Sequence, residues 1–275
     1  MRGAVGASML VLWAGLYVAH GSAIPMLFAG VFSSVLAYAI AMWLCVEIAA
    51  EYRQSRDLRM AWIFLGWCAG ISMARHLFDT PLVDVVWPGY WKGPWSPVLR
   101  ELLAAAALTM LAAGIFTMGE AFRRMRLGFS WSAMDLVAMA GVLALVLYLR
   151  NDLSAARVPY SLAKRAQLFS QIVFVVAAAG CVLLRRIAQQ MGGGKLASAM
   201  GWIIAHIVLR AVLVLVAALQ VRLHKSLPLS ELLPLVSNAA IWMFALAAAS
   251  RYEVSQTAAR HAAKWGVASF ENVAG

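Results

Sequence analysis

The chain has 275 residues, of which 63% are apolar and only 13% are charged. Soluble globular proteins average about 45–50% apolar and about 25% charged residues. These proportions exclude a soluble enzyme, a disordered regulator and a small secreted domain built on disulfides, and they predict an all-α integral membrane protein. The formal charge of +11 is typical of basic residues gathered at helix ends beside anionic lipid. No basic stretch is long enough to form a nucleic-acid-binding arm, so we expect no nucleic-acid partner.

The first 23 residues have the form of a signal peptide, because Arg2 is followed by an apolar run and then by small residues before Ile24. We expect this segment to be retained as the first membrane helix. Cleavage would leave seven spans instead of eight.

Eight segments are apolar over about the 20 residues that a membrane-spanning helix needs. Short loops separate most of them. We therefore predict a polytopic transmembrane helical bundle, formed by residues 1–250 as a single domain, with a short tail at 251–275. The predicted spans lie at roughly 4–21, 26–48, 59–78, 98–120, 132–150, 165–186, 197–220 and 232–250.

Lys and Arg are distributed unequally between the two sets of predicted helix ends. One set includes the cluster Arg123, Arg124 and Arg126, whereas the first loop of the other set, residues 21–25, has no basic residue. Because cytoplasmic ends carry the excess of Lys and Arg, both termini are predicted to be cytoplasmic. We expect the protein in the bacterial inner membrane.

The stretch from Tyr52-Arg53 to Arg59-Met60-Ala61-Trp62 loosely resembles the multi-span sensor regions that precede bacterial signalling kinases. The resemblance covers about two loops and includes no diagnostic motif, so it does not assign a family. It implies a sensory role, and no kinase or cyclase domain follows in the 275 residues.

Arg210 lies 13 positions into the seventh predicted span, where an arginine costs about 2.5–3.5 kcal/mol unless it finds acceptors. His206 precedes it by four residues and shares its helix face. The candidate acceptors are Gln171, Asn238 and, if the side chain extends outward, Glu101. This group is either a site for an anion, a headgroup or a proton, or a polar lock between helices.

Three histidines, His20, His76 and His224, are predicted at the periplasmic edge of the bundle. Imidazole is a common ligand of metals and of haem iron, so these residues are a candidate metal or haem site if they converge. His206 is expected at a different depth and therefore apart from them.

The longest periplasmic loop carries Trp87, Tyr90, Trp91 and Trp95 among prolines and glycines, which prevent a regular helix. Amphipathic rings of this kind prefer the membrane interface. The loop is predicted either to anchor at the membrane surface or to dock a lipid, a quinone or another membrane subunit.

The sequence contains no nucleophile–base pair or metal motif at a recognisable spacing, so it does not favour an enzyme, and it identifies no cofactor. Three functions remain open. The first is a sensor or an accessory subunit of a membrane complex, with lipids and possibly other subunits as partners. The second is a small-molecule or ion transporter that uses the face of Arg210 and His206. The third is a haem or metal redox subunit.

Overall fold

The computed structural model describes the chain in stretches, namely residues 1–18, 23–53, 55–78, 83, 88–89, 95–124, 133, 137, 140–141, 144, 161–190, 195–223 and 233–264. Every regular element within these stretches is an α-helix, which confirms the predicted all-α class. The seven helices are α1 (Arg2–Val18), α2 (Ala23–Glu51), α3 (Arg56–Phe78), α4 (Trp95–Arg124), α5 (Ser161–Gln190), α6 (Lys195–Leu223) and α7 (Leu233–Lys264).

Local signals in the sequence explain where several helices begin. Pro25, Pro97 and Pro234 each lie among the first three residues of a helix, where a missing backbone N–H leaves no intrahelical bond unmade. Helix α3 begins after Ser55, whose carbonyl oxygen accepts a hydrogen bond from the backbone N–H of Arg59 at 2.9 Å. These starts decide which residues share a helix face and can therefore meet inside the bundle.

Six of the helices form a ring. Each helix from α2 to α6 packs against the next one along the chain, and α7 closes the ring by packing against α2. Helix α1 lies outside the ring against α7 and α2, and the indole N–H of Trp13 donates a hydrogen bond to the carbonyl oxygen of Leu235 at 3.2 Å. The inner faces of the six ring helices can therefore enclose a common space.

The closing pair of the ring, α2 and α7, is parallel. Ser33 on α2 contacts Asn238 on α7, and Tyr52, farther along α2, contacts Arg251, farther along α7. These two contacts join residues about 200 positions apart in the chain. The ring is therefore closed by its most distant elements in sequence.

Helices α4 and α5 are also parallel. Gly180 on α5 lies against Ile115 on α4, and Leu183, one turn farther along α5, lies against Gly119, one turn farther along α4. Two parallel neighbours cannot be joined by a hairpin, because the second helix begins at the end of the bundle where the first one began. Helix α5 therefore begins at the same end of the bundle as α4.

Helix α3 is antiparallel to both α2 and α4, so α2, α4, α5 and α7 all run in one direction. We call the half of the ring where these four helices begin the upper half, and the half where they end the lower half. Helix α3 ends in the upper half. The ion pair between Arg124 at the end of α4 and Asp57 at the start of α3, at 2.8 Å, marks the lower end.

Four helical segments are long and apolar enough to cross a membrane, namely Gly30–Glu51, Trp95–Arg124, Lys164–Gln190 and Leu233–Val254. They belong to α2, α4, α5 and α7, the four helices that share one direction. The apolar stretch of α6, Ala197–Leu213, is shorter. The described chain thus has the character of a membrane-embedded protein, with four candidate spanning helices among seven instead of the eight predicted.

The remaining predicted spans differ in outcome. Segments 4–21, 59–78 and 197–220 fall largely in α1, α3 and α6, which are helical but are too short, or too polar over the required length, to count as spanning helices within the described residues. Segment 132–150 lies outside the described residues except for a few isolated helical positions. Helix α7 continues through the predicted start of the tail at 251 as far as Lys264.

Candidate functional site

A cavity of about 250 Å³ lies inside the ring and reaches into its upper half. Helices α2 to α6 all contribute to its wall, and the polar lining residues include Tyr38, His76, Glu101, Gln171, His206 and Arg210. Four of the five residues predicted for the polar face, on three different helices, therefore meet at one cavity.

Arg210 is attached to α2 through a hydrogen bond from its guanidinium Nη2 to the hydroxyl oxygen of Tyr38, at 2.6 Å. Tyr38 is buried, and its ring lies against that of His76 with the centroids 5.6 Å apart. In the described part of the chain no carboxylate lies within ion-pair distance of Arg210. A neutral phenol orients the guanidinium without neutralising its charge, so the charge remains available to a ligand.

The imidazole ring of His206 is held in one orientation. Its Nδ1 lies 2.6 Å from the carbonyl oxygen of Ala240 on α7, and since a carbonyl oxygen only accepts, Nδ1 carries the proton and donates. The ring also packs against that of Phe244, with the centroids 5.4 Å apart. In the neutral ring the other nitrogen, Nε2, is then a hydrogen-bond acceptor. The His206 side chain lines the cavity.

Gln171 is a buried residue, only 4% exposed. Its side chain lines the cavity and has no hydrogen-bond partner among the residues that the structure describes. Buried polar groups are almost always hydrogen-bonded, and one that faces a cavity is satisfied by water or by a ligand. Glu101, in the second turn of α4, lines the same cavity and is only partly buried.

Asn238 does not join Arg210, contrary to the prediction from their similar depth. Its Oδ1 accepts a hydrogen bond from Ser33 at 3.1 Å, its Nδ2 donates to Ser34 at 3.2 Å, and Trp242 donates to Ser33 at 2.9 Å. All four residues are buried, and they tie α2 to α7. The polar lock that the sequence suggested for Arg210 is thus present at Asn238, where the side chains satisfy one another.

The charges that line the cavity favour an anion. Among the described residues that line it are two guanidinium groups, Arg75 and Arg210, and one carboxyl group, Glu101. Charge-assisted hydrogen bonds to a guanidinium are among the stronger polar contacts in proteins, so Arg210, which has no carboxylate partner among the described residues, suits an anionic ligand.

Of the three histidines predicted at the membrane edge, only His76 has a described side chain, since His20 and His224 lie outside the described side chains. His76 lines the same cavity as His206, although the sequence places the two at different depths. Within the described residues no group of three or more His, Cys, Asp or Glu is suited to hold a metal ion. The metal or haem site stays a prediction.

Of the aromatic loop, Trp87, Tyr90 and Trp91 lie outside the described residues. Trp95 is the first residue of α4, and 61% of its surface is exposed. Helix α4 therefore begins within the segment that was predicted not to be helical, and this part of the prediction is wrong. The docking role of the loop remains a prediction.

The sequence alone did not point to Tyr38 as the partner of Arg210, nor to Ser33 and Ser34 as partners of Asn238. One signal was present, because Tyr38 lies in the middle of an apolar span and not at its end, where the amphipathic ring prefers to be. A tyrosine hydroxyl in that position needs a hydrogen-bond partner. Which partner it finds depends on the ring closure between distant helices.

Comparison with protein-family models, with curated proteins and with solved structures found no match. The interpretation of the cavity therefore depends on its own residues. These are a guanidinium without a carboxylate partner in the described part, an oriented imidazole and a buried amide that faces open space.

Proposed function

We propose that the protein is a membrane-embedded sensor subunit that binds a small anion in the cavity of the upper half. The observation that carries the proposal is the environment of Arg210, which is held by Tyr38 beside a cavity that also exposes the buried amide of Gln171. An ionisable residue within the span of a membrane helix marks a functional site by default. A bound oxyanion would accept hydrogen bonds from both Arg210 and Gln171.

For the membrane topology we propose eight crossings with both termini in the cytoplasm. The parallel packing of α4 and α5 supports this arrangement, because one more crossing over 132–150 would return the chain between them. The ion pair between the Met1 amino group and Glu253, at 3.0 Å, joins the start of α1 to the far part of α7, at the end that also carries Arg123 and Arg124. The excess of basic residues assigns that lower end to the cytoplasm of a bacterial inner membrane.

The lower half favours sensing over conduction. There the helices approach closely through Gly114, Gly119 and Gly180, each of which lies against a branched aliphatic side chain of a neighbouring helix. This close packing leaves little room for a ligand to pass between α3, α4 and α5, which supports binding over conduction.

The direct test is anion binding by the purified protein in lipid nanodiscs, with acetate, chloride and phosphate as probes at constant ionic strength. We expect acetate to raise the midpoint of thermal unfolding, since a ligand that binds only the folded state stabilises it. Arg210→Gln should weaken binding about tenfold or more, because hydrogen bonds to a charged group are lost. Arg165→Gln, an exposed cation on α5 that does not line the cavity, is the matched control.

Arg210→Lys separates a ligand site from a structural lock. Lysine keeps the charge but lacks the planar fork of donors, so a ligand site should bind the anion more weakly while the protein still folds and inserts. Loss of the variant from the membrane fraction would instead mean that Arg210 holds the helices together, and would refute the proposal.

Transport is the second candidate, because Arg210 and His206 both face the cavity from one helix. Uptake of radiolabelled acetate into proteoliposomes distinguishes the two functions. Uptake above that of empty liposomes, and lost in Arg210→Gln, would favour transport. Binding without uptake would favour the sensor.

The accessory role concerns the aromatic loop and membrane partners. Trp95, with 61% of its surface exposed at the start of α4, supports a docking surface for lipid or for another subunit. Native mass spectrometry of protein extracted from its own host in mild detergent would detect such a subunit as added protein mass. The double change Trp91→Ala and Trp95→Ala should release it, and unchanged co-purification would contradict the docking role.

A further inference from the structure

The shape and polarity of the cavity narrow the ligand class, on the basis of the proposed anion site. Along α4 the lining residues run from Glu101 through Ala104, Ala107 and Leu108 to Leu111. Ten residues of helix correspond to about 15 Å. The polar residue lies nearest the start of α4, and the aliphatic residues follow toward the lower half.

Helices α3 and α5 repeat this order. On α5, Phe174 lines the wall about one turn beyond Gln171, and on α3, Cys68 lies two turns before His76. Helix α6 differs, because the polar His206 lines the wall beside Ile207, one turn before Arg210. Along α3, α4 and α5 the wall is thus polar toward the upper end and apolar toward the centre of the ring, a gradient that matches a charged head and an apolar chain.

The dimensions favour a thin ligand. Drug-sized molecules occupy pockets of about 300–1,000 Å³, and this cavity has about 250 Å³ spread along several helical turns. An elongated space of that volume accepts an unbranched chain more readily than a ring or a branched skeleton. Ala104 and Ala107 keep it open, because a larger side chain at either position would project into it.

The head group is also constrained. One Nη of Arg210 is committed to Tyr38, and the other donors of the planar guanidinium remain for a planar anion. A carboxylate can accept two parallel hydrogen bonds from this planar fork and, unlike inorganic phosphate, carries an alkyl chain. We propose that the ligand is an unbranched monocarboxylate, with its carboxylate at Arg210 and Gln171 and its alkyl chain along Leu108 and Leu111.

The experiment measures dissociation constants for acetate, butyrate, hexanoate and octanoate with the protein in nanodiscs, with empty nanodiscs subtracted. Each methylene buried against apolar side chains should strengthen binding about fourfold, until the chain fills the cavity. The affinity should then stop rising, which distinguishes a short soluble acid from a membrane fatty acid, whose affinity would continue to rise with length. Branched pivalate, of the same charge, should bind more weakly than unbranched valerate.

The variant Ala107→Leu fills the apolar part of the cavity, so it should abolish the gain in affinity with chain length. The wild-type series tests the proposal even if this variant does not fold. Equal affinity for all four acids, or tighter binding of phosphate than of hexanoate, would overturn the assignment while leaving the anion site in place. Failure of every anion to bind would overturn the anion site as well.

Discussion

The upper and lower halves of the ring are built from the same helices but are packed differently. In the lower half, small residues let α3, α4 and α5 approach until glycine hydrogens contact branched side chains. In the upper half, polar groups on the same three helices line a cavity of about 250 Å³. The lower half is closely packed because its side chains fit against one another. The upper half contains a cavity lined by side chains that need polar partners.

The comparison shows that small residues alone do not determine close packing. Ala104 and Ala107 line the cavity, whereas Gly114 and Gly119, about two to four turns farther along the same helix, are buried against neighbours. Small side chains permit a close approach, but helices use it only where no buried polar group must be accommodated.

The largest effect is expected for Gly180→Ala in the lower half. A Cβ at this position would lie 2.5 Å from Cγ2 of Ile115, which is fully buried, so a neighbouring helix must move. Overpacking of this kind destabilises a protein by about 1–3 kcal/mol. The free energy of unfolding, measured by SDS titration in detergent, would show the loss.

Gly201→Ala is the matched control for Gly180→Ala. Gly201 is an exposed glycine within α6 that has no atom within 4 Å of an added Cβ. Alanine should therefore leave stability unchanged or raise it by about 0.5–1 kcal/mol, because glycine is the poorer helix former. Equal loss in both variants would mean that the close contact in the lower half does not limit stability.

The next effect separates the polar lock from the anion site. Asn238→Ala removes a buried network with Ser33 and Ser34 and should lower stability by about 1–2 kcal/mol, since hydrogen bonds within membranes are individually modest. The affinity for acetate should stay within about twofold of wild type. If Asn238→Ala impaired binding as strongly as Arg210→Gln does, the two polar groups would be one coupled unit.

A smaller effect is expected at the contact between α2 and α7 in the lower half. Tyr52 accepts a hydrogen bond from Arg251 Nε at 2.8 Å, and the guanidinium carbon lies 4.9 Å from the centre of the tyrosine ring. Tyr52→Phe keeps the cation–π contact and removes the acceptor, so it should cost about 1 kcal/mol. Tyr52→Leu removes both and should cost more, and identical losses would assign the whole effect to the hydroxyl.

The smallest effect is expected for Asp57→Asn. Its carboxylate pairs with Arg124 at 2.8 Å, but both side chains are partly exposed and Arg124 keeps a second partner, Glu120, at 3.2 Å. Ion pairs of this kind contribute about 0–1 kcal/mol and weaken with salt. A loss above about 2 kcal/mol that persisted at high salt would show that the lower end is held by this pair.

The sequence was sufficient to predict the helical class and four of the polar residues that line the cavity. Arg210, His206, Gln171 and Glu101 could be identified because charged and amide groups are rare and costly in apolar helices. Depth along a helix also follows from counting residues. The sequence did not determine angular position around the ring, so it could not tell that Asn238 turns toward Ser33 and Ser34.

The number of spans was harder to predict for a related reason. Helix α3 is apolar enough on average to resemble a span, yet it is interrupted by charge within the required length. A hydropathy average depends only on the residues of one segment and does not include the helices that pack against it. A ring shields some faces of a helix from lipid, so those faces need not be uniformly apolar.

The parallel pair α2 and α7 has a consequence for biosynthesis. Ser33 and Ser34 leave the ribosome about 200 residues before Asn238, which is the side chain that later accepts from one and donates to the other. Throughout that interval the polar face of α2 has no native partner in α7. Until α7 emerges, these hydroxyls can bond only to water or to carbonyl oxygens of their own helix, and α7 then completes the network.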